Sequence, residues 1–372
     1  MIVVFSGYNQ RAVIALLRGL PKNFEEKVII IARDINDPIL MTKYSKNVFY
    51  IRKFKELNKN ELDSVFEKII KFCNEEIIIM PTTEALNRYL LEKQDELLSR
   101  GIIVPLVNKL LYSKISDKRS FWNMCKNTGL KVPSLISIDN NFVSPYVAKP
   151  VKYISSTGVR LAPIIVMSNS EHLNFLENYN ITDFDIQEYI EGQSYYLLYY
   201  FSKNGQCYSY SQCNLAQQPG GKSIIAAISS NLHYASISDD YINLFKKNHF
   251  FGFVMVELRK KGSEYYMIEA NPRLWGPSQL FVDANVKFIE AFLMDYGLIK
   301  SFTSGDVHED SLYFWSGGLR NDILVDDECV WLDGGREIVT KRLDEFKLCD
   351  VYNRTDTEKV YLLEKKLWER EL

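Results

Sequence analysis

Apolar positions in the first hundred residues fall into short continuous runs separated by helical repeats. Residues 2–5 read as a buried strand, Ser6-Gly7-Tyr8-Asn9 as a turn, and Arg11 to Leu20 as a helix stopped by Pro21. Val28 to Ala32, Val48 to Ile51 and Ile77 to Met80 are further apolar strands. Before the last of these, Asn60 caps a helix with Leu62, Val65, Phe66, Ile69 and Cys73 at helical spacing. Strands alternating with helices predict a small parallel sheet, and ligands on such sheets sit beyond the carboxyl ends of the strands. Two of those ends are polar: Ser6-Gly7-Tyr8-Asn9 and Pro81-Thr82-Thr83-Glu84. The first lacks GxGxxG, so a dinucleotide site is not indicated. Glu84 lies in the first turn of the next helix, where the dipole favours an anion in any case. Its functional reading is a contact to an amine or another substrate group.

Further along, the pattern shifts toward period-two alternation. Ser116-Asp117 opens a helix carrying Lys118, Phe121, Trp122 and Cys125, closed at Thr128-Gly129. Tyr146 to Pro150 is a short strand, and Tyr195–Phe201, Asn204-Gly205 and Cys207–Ser211 give a hairpin signal. The tyrosines of that run read as sheet packing rather than a base-stacking platform. Asp239 to Phe250 and Leu280 to Tyr296 read as helices. Short β-like runs surround 329–340, and a charged helix ends the chain. The stretch Gln217 to Ser223 contains Gly220-Gly221-Lys222, but a P-loop requires glycine five positions before Gly221, where Ala216 stands, and no strand-to-helix context surrounds it.

The most informative stretch is Phe253 to Arg273, FVMVELRKKGSEYYMIEANPR. Two alternating segments flank a turn at Lys261-Gly262-Ser263. A turn centred near Gly262 or Ser263 puts Glu257 opposite Glu269 or one pair away, with Asn271 on the same face. Directly opposed like charges destabilise a sheet. A chain that places them there is read as holding a divalent cation between them, and all-oxygen ligands favour Mg²⁺ or Mn²⁺. Pro272 ends the strand and lets Arg273 aim a guanidinium at phosphates. The competing reading is a surface hairpin with two solvated glutamates.

Composition removes several classes. The 372 residues suffice for two or three domains, with 47% hydrophobic and 25% charged residues. A net charge of −2 and no basic tract advertise no nucleic-acid partner. The six cysteines form no CxxC pair and the four histidines sit in no metal-ligand spacing. No apolar run approaches the length of a membrane span, and the first residues lack the form of a signal peptide. The expectation is a cytoplasmic protein without membrane contact.

The E–x11–E–x–N–P–R arrangement of Glu257, Glu269, Asn271 and Arg273 resembles the metal-binding hairpin of the ATP-grasp superfamily, whose members join a carboxylate to a nucleophile through an acyl phosphate. The phrase DK…F…GLKVP around Lys118 is similar to that family's approach to its nucleotide lobe. The strand ending in Lys149 is similar to the one carrying its second nucleotide lysine. Ile186 to Gly192 resembles its hinge, where Glu188 and the backbone of Tyr189 and Ile190 would read adenine and Glu191 the ribose. The resemblance extends to carboxylate–amine or thiol ligases and to the ATP-binding fold of the carbamoyl-phosphate synthase large chain. One departure stands out: the family's glycine-rich flap is here residues 151–158 with one glycine, where the hydroxyls of Ser155, Ser156 and Thr157 would replace some amide contacts.

The resemblance implies an α/β and α+β protein: a parallel α/β pre-ATP-grasp domain over 1–110, a small nucleotide lobe over 111–192, a large lobe with the metal site over 193–300, and a C-terminal extension over 301–372 that could pack on the large lobe. It implies ATP and two Mg²⁺ (or Mn²⁺) ions, the metal on Glu257, Glu269 and Asn271, and Arg273 and Lys149 in catalysis. Lys118, Lys149, Glu188, Tyr189, Ile190, Glu191, Ser155 and Ser156 would bind nucleotide. Glu84, Gly221 and Lys222 are the weaker substrate candidates. The expected reaction is ADP-forming amide synthesis from a small carboxylate and an amine, in a chain that could dimerise. The alternatives are a bicarbonate-activating or carbamoyl-phosphate-type enzyme, and a nucleotide-binding regulator without catalysis.

Overall fold

The computed structural model of the protein describes every residue except 55, 74, 152–157, 160, 304, 320–328 and 370–372. The first hundred residues form a parallel sheet of β1 (Ile2–Phe5), β2 (Val28–Ala32), β3 (Val48–Ile51), β4 (Ile77–Ile79) and β5 (Ile102–Ile103), in the order β3-β2-β1-β4-β5. β1, β2 and β4 are buried along their whole length, which explains their unbroken apolar sequence. The helix Gln10–Gly19 covers one face, while Lys59–Phe72 and Glu84–Glu92 cover the other. The second helix starts earlier than its spacing suggested. Asn58, not Asn60, is the cap, because its side chain accepts the Glu61 amide. Strand order reverses direction between β1 and β4, so the crevice outside their carboxyl ends is a natural ligand site.

Next comes a small antiparallel sheet of β6 (Tyr146–Pro150), β7 (Ile164–Val166) and β8 (Phe184–Glu188), in the order β7-β6-β8. The helix Asn169–Asn178, opened by a Ser168–Glu171 capping box, packs beside it through Phe175.

The largest sheet comprises β9 (Gln193–Phe201), β10 (Cys207–Gln217), β11 (Ile224–Ser229), β12 (Gly252–Lys261), β13 (Glu264–Asn271), β14 (Leu312–Phe314) and β15 (Val330–Trp331). Its order is β13-β12-β9-β10-β11-β14, with β15 on β10. Alternation sorts side chains cleanly between two cores. Tyr196, Leu198, Tyr200, Phe253 and Met255 face the helix Gln10–Gly19 and the ring cluster of Phe281, Phe288 and Phe292. Leu197, Tyr199, Val254, Val256 and Leu258 face Tyr241 and Phe245 of the helix Ser236–Lys247. The tyrosine run is buried packing, with Tyr199 and Tyr200 both in these cores.

Two segments differ from the sequence reading. Leu280 to Tyr296 is not one helix: Gln279–Asp283 and Phe288–Asp295 are separated by Asn285 in the left-handed region (φ 61°), a conformation asparagine tolerates. The region 329–340 is extended only at Val330–Trp331, and Gly335–Lys341 is helical after a left-handed Gly334. The segment after 300 is no detached appendage. β14 pairs with β11 in register Ala226↔Phe314, and Asp356 takes two hydrogen bonds from Arg18, at 2.9 and 2.8 Å. No helix among the described residues is long and apolar enough to cross a membrane, and all six cysteines are free.

Candidate active site

The hairpin of β12 and β13 closes through a two-residue turn, Gly262-Ser263, with Lys261 paired to Glu264 and Gly262 at φ 62°. Its register sets Glu257 directly opposite Glu269, with an irregularity between Glu257 and Leu258. On the other side of β12, Glu257 pairs with Tyr196. Glu269, Glu257 and Tyr196 therefore form a row across three strands, on the face shared with Met255 and Leu198.

Facing carboxylates repel, and the surroundings supply the compensation. Lys118, in the first turn of the helix Lys118–Asn127, places Nζ 3.1 Å from Glu269 Oε2. Asn271 Nδ2 donates to Glu269 Oε1 at 2.9 Å. Burial pushes the Glu269 carboxyl up, but Lys118, the Asn271 amide and Lys149 outweigh it and hold it at about 2. Glu257 goes the other way: burial, then the charge of Glu269, push it up to about 7. Lys149 arrives at the end of β6, where Pro150 follows. It is buried, and its Nζ donates to the Ile268 carbonyl at 2.9 Å. Burial and the neighbouring Lys118 lower its ammonium to about 8 against the pull of both glutamates. Arg273, turned by Pro272, donates to Asn271 Oδ1 and to the Leu274 carbonyl, each at 3.1 Å.

Two cavities meet at this row. The first, about 130 Å³, lies between the small sheet and the large one. Val147, Ile165, Ile190 and Ile268 give it apolar walls, and Lys118, Lys149, Glu257 and Glu269 a charged end. The second, about 340 Å³, lies outside the carboxyl ends of β1 and β4, the crevice that the strand order predicts. Tyr8, Asn9, Arg11, Thr82, Thr83 and Glu84 line it from the parallel domain, and Asn271, Arg273, Trp275 and Gly276 from the loop after β13. Tyr196, Lys222 and Glu269 line both cavities and form the wall between them.

Most of the residues singled out in the sequence converge here. Lys118, Lys149, Glu188, Tyr189, Ile190, Gly221, Lys222, Glu257 and Glu269 line the first cavity, and Glu84, Asn271 and Arg273 the second. Four of the predicted residues make other contacts or lie elsewhere. The Glu188 carboxylate, which lines the first cavity, also accepts the Ser134 amide at 2.9 Å, because residues 134–136 run beside β8. Glu191 is exposed and belongs to neither cavity wall. Ser155 and Ser156 lie outside the described residues. Sequence reasoning missed Tyr196, Arg11 and the apolar walls Val147, Ile165 and Ile268. The pairing of β9 with β12 is what brings Tyr196 to Glu257, and no local pattern announces strand order.

The donor set fits a hard divalent cation: two opposed carboxylates and the Asn271 Oδ1, all oxygen, in a cleft with cationic groups for an accompanying polyanion. No group of three or more His, Cys, Asp or Glu suited to a metal occurs among the described residues. The amide oxygen and ligand oxygens would therefore complete the shell.

No protein-family model and no curated protein matches the chain. Solved structures do. The chain is similar to the biotin carboxylase domain of the 2-oxoglutarate carboxylase of Hydrogenobacter thermophilus, solved with MgADP and bicarbonate (TM-score 0.57, 13% identity, 84% of this chain and 72% of that one). It is similar to N5-carboxyaminoimidazole ribonucleotide synthetase from Thermus thermophilus (TM-score 0.57, 12% identity, 84% and 82%). It is also similar to L-amino acid ligase from Bacillus licheniformis (TM-score 0.51, 14% identity, 77% and 69%). The architecture is thus the ATP-grasp fold: a parallel domain, then a small and a large lobe enclosing a cleft. At these identities the likeness is one of fold.

Proposed function

We propose that this protein is an ATP-dependent, ADP-forming ligase that activates a small carboxylic acid as an acyl phosphate and joins it to an amine. The observation that carries the reading is the shared wall. A narrow, partly apolar cleft ends in paired carboxylates and two lysines, and Glu269, Tyr196 and Lys222 line both that end and a larger polar cavity. A phosphoryl donor on one side and an acceptor on the other would meet across it.

In this reading the cleft walls Val147, Ile165 and Ile268 hold the adenine, with the backbone at Tyr189 and Ile190 along its edge. Lys118 and Lys149 neutralise the triphosphate. A divalent cation held by Glu257, Glu269 and Asn271 would supply further neutralisation of the transferring group. The acid, held in the larger cavity, attacks the γ-phosphorus in line, and Arg273 stabilises the charge that develops there. The γ-phosphorus–oxygen bond to ADP breaks as the acyl phosphate forms. The amine then attacks the acyl carbon and inorganic phosphate leaves. No protein nucleophile is required. Glu84, ion-paired to Arg88 at 2.8 Å, faces the acceptor cavity as the acid nearest an incoming amine.

A screen of carboxylic acids against amines with MgATP, read as phosphate and ADP release, tests the reading. The expected result is acid- and amine-dependent release in equal amounts. Nucleotide binding with no release across the panel would replace it with a regulator. Bicarbonate activation is the second reading, favoured by the bicarbonate found in the carboxylase neighbour. ADP release that depends on bicarbonate alone would select it. The 340 Å³ acceptor cavity argues for a larger acid.

A further inference from the structure

The acceptor cavity carries more cations than the ligase reading uses. Its acids are already engaged: Glu84 with Arg88 at 2.8 Å and Glu269 with Lys118 at 3.1 Å. Its cations are not. Neither Arg11 nor Lys222 makes an ion pair among the described residues, and Arg273 donates only to neutral oxygens.

Arg11 is a placed group. Its guanidinium carbon lies 3.7 Å from the centroid of the Trp315 ring. One terminal nitrogen donates to the Ile224 carbonyl at 3.1 Å and to the Tyr313 hydroxyl at 2.9 Å. A Cβ at residue 276 would stand 3.1 Å from the other terminal nitrogen, so Gly276 leaves that side clear. Nε and the second terminal nitrogen have no protein acceptor among the described residues. A planar fork pinned on one nitrogen, stacked on an indole and left with free donors at a cavity wall suits an oxyanion. Glu364, beside Gly317, is the acid near enough to feel it, and burial together with Asp350 raises that carboxyl to about 7, which weakens it as a counter-charge.

Arg11 is also separate from the transfer end. Lys222 shares the wall with Glu269, and Arg273 holds Asn271. Arg11 stands on the helix after β1, beside Gly276, three residues past Arg273. A monocarboxylate at Arg273 would leave Arg11 without a partner.

We propose that the acid substrate is a dianion, a dicarboxylic acid whose reacting carboxylate lies by Arg273 and whose second carboxylate is held by Arg11. Tyr313 and Trp315 are then positioning residues, and the segment after 300 helps set specificity. The inference rests on the ligase reading for the first carboxylate but on Arg11 alone for the second.

The test pairs acids of equal length on the full chain: succinate with butyrate, glutarate with valerate, adipate with hexanoate. ADP formation is measured against an amine panel, and binding of each acid without nucleotide is measured by calorimetry. The expected kcat/KM preference is about tenfold or more for the dicarboxylate of at least one pair. Arg11→Gln should raise that dicarboxylate's KM about tenfold while leaving the monocarboxylate and ATP within about twofold. Arg11→Lys should recover part of it, and Tyr313→Phe should move the same KM less. Equal use of mono- and dicarboxylates, or an Arg11→Gln loss that falls on both alike, overturns the inference and leaves the ligase intact. If no acid yields ADP, the ligase reading fails. Calorimetry then still decides the second site: dicarboxylate binding weakened by Arg11→Gln supports it, and unchanged or absent binding overturns it.

Discussion

The two cavities on either side of Glu269 are built in opposite ways. The nucleotide-side cleft has a charged end where Lys118 and Lys149 stand against Glu257 and Glu269, and these charges nearly cancel. The acceptor cavity draws on residues 8–11, 82–84, 196, 222–224, 255, 269–271 and 273–277, segments that only the tertiary fold unites, and it keeps an excess of cations. The first is a compensated site whose groups perturb one another strongly, as the divergence of Glu257 and Glu269 shows. The second is preorganised by packing, with Arg11 held by Trp315, Tyr313 and the Ile224 carbonyl and left clear beside Gly276. Chemistry that is common to many substrates belongs in the first kind of site, and discrimination between substrates in the second.

That division can be broken by mutation. Glu269→Gln or Lys149→Ala should lower turnover at least about a hundredfold for every acid alike, measured as ADP release. A loss confined to one acid would erase the distinction. Glu84→Gln should act on the other side, raising the amine KM several-fold, about 1 kcal/mol, with the ATP KM unchanged. Gly276→Ala crowds the Arg11 guanidinium and should raise the acid KM about threefold, again without effect on ATP, in steady-state assays. The smallest effect is one of stability. Glu364 titrates near 7 in the folded chain and near 4.3 when unfolded. Between those values the folded state holds the extra proton, so the stability this group supplies is full below about pH 4 and gone above about pH 7. Glu364→Gln should therefore flatten the fall in Tm between about pH 5 and about pH 8, by calorimetric melting.

The same contrast explains what was legible in the sequence. The parallel domain could be read because β1, β2 and β4 are buried on both faces and carry uninterrupted apolar runs. The hairpin register followed from one short turn, and Glu257 does stand opposite Glu269. The acceptor cavity could not be read, since Arg11 looks like any first-turn arginine until β11 and β14 supply Ile224 and Tyr313. At the expected hinge, the sequence did not foretell that a Glu188 oxygen accepts the Ser134 amide or that Glu191 is exposed, because both follow from how residues 134–136 and β8 lie together. Asn285 marks a helix break that spacing alone ran through, because its backbone turns left-handed while the apolar pattern continues.

β14 lies against β11 more than eighty residues after it in the chain. Until that strand docks, β11 presents an open row of backbone donors and acceptors, the kind of border that invites pairing with another chain. A ribosome therefore releases most of the large lobe with its flank uncovered. Shortening the protein before residue 312 would make that passing exposure permanent, and insolubility rather than simple loss of turnover is the expected defect.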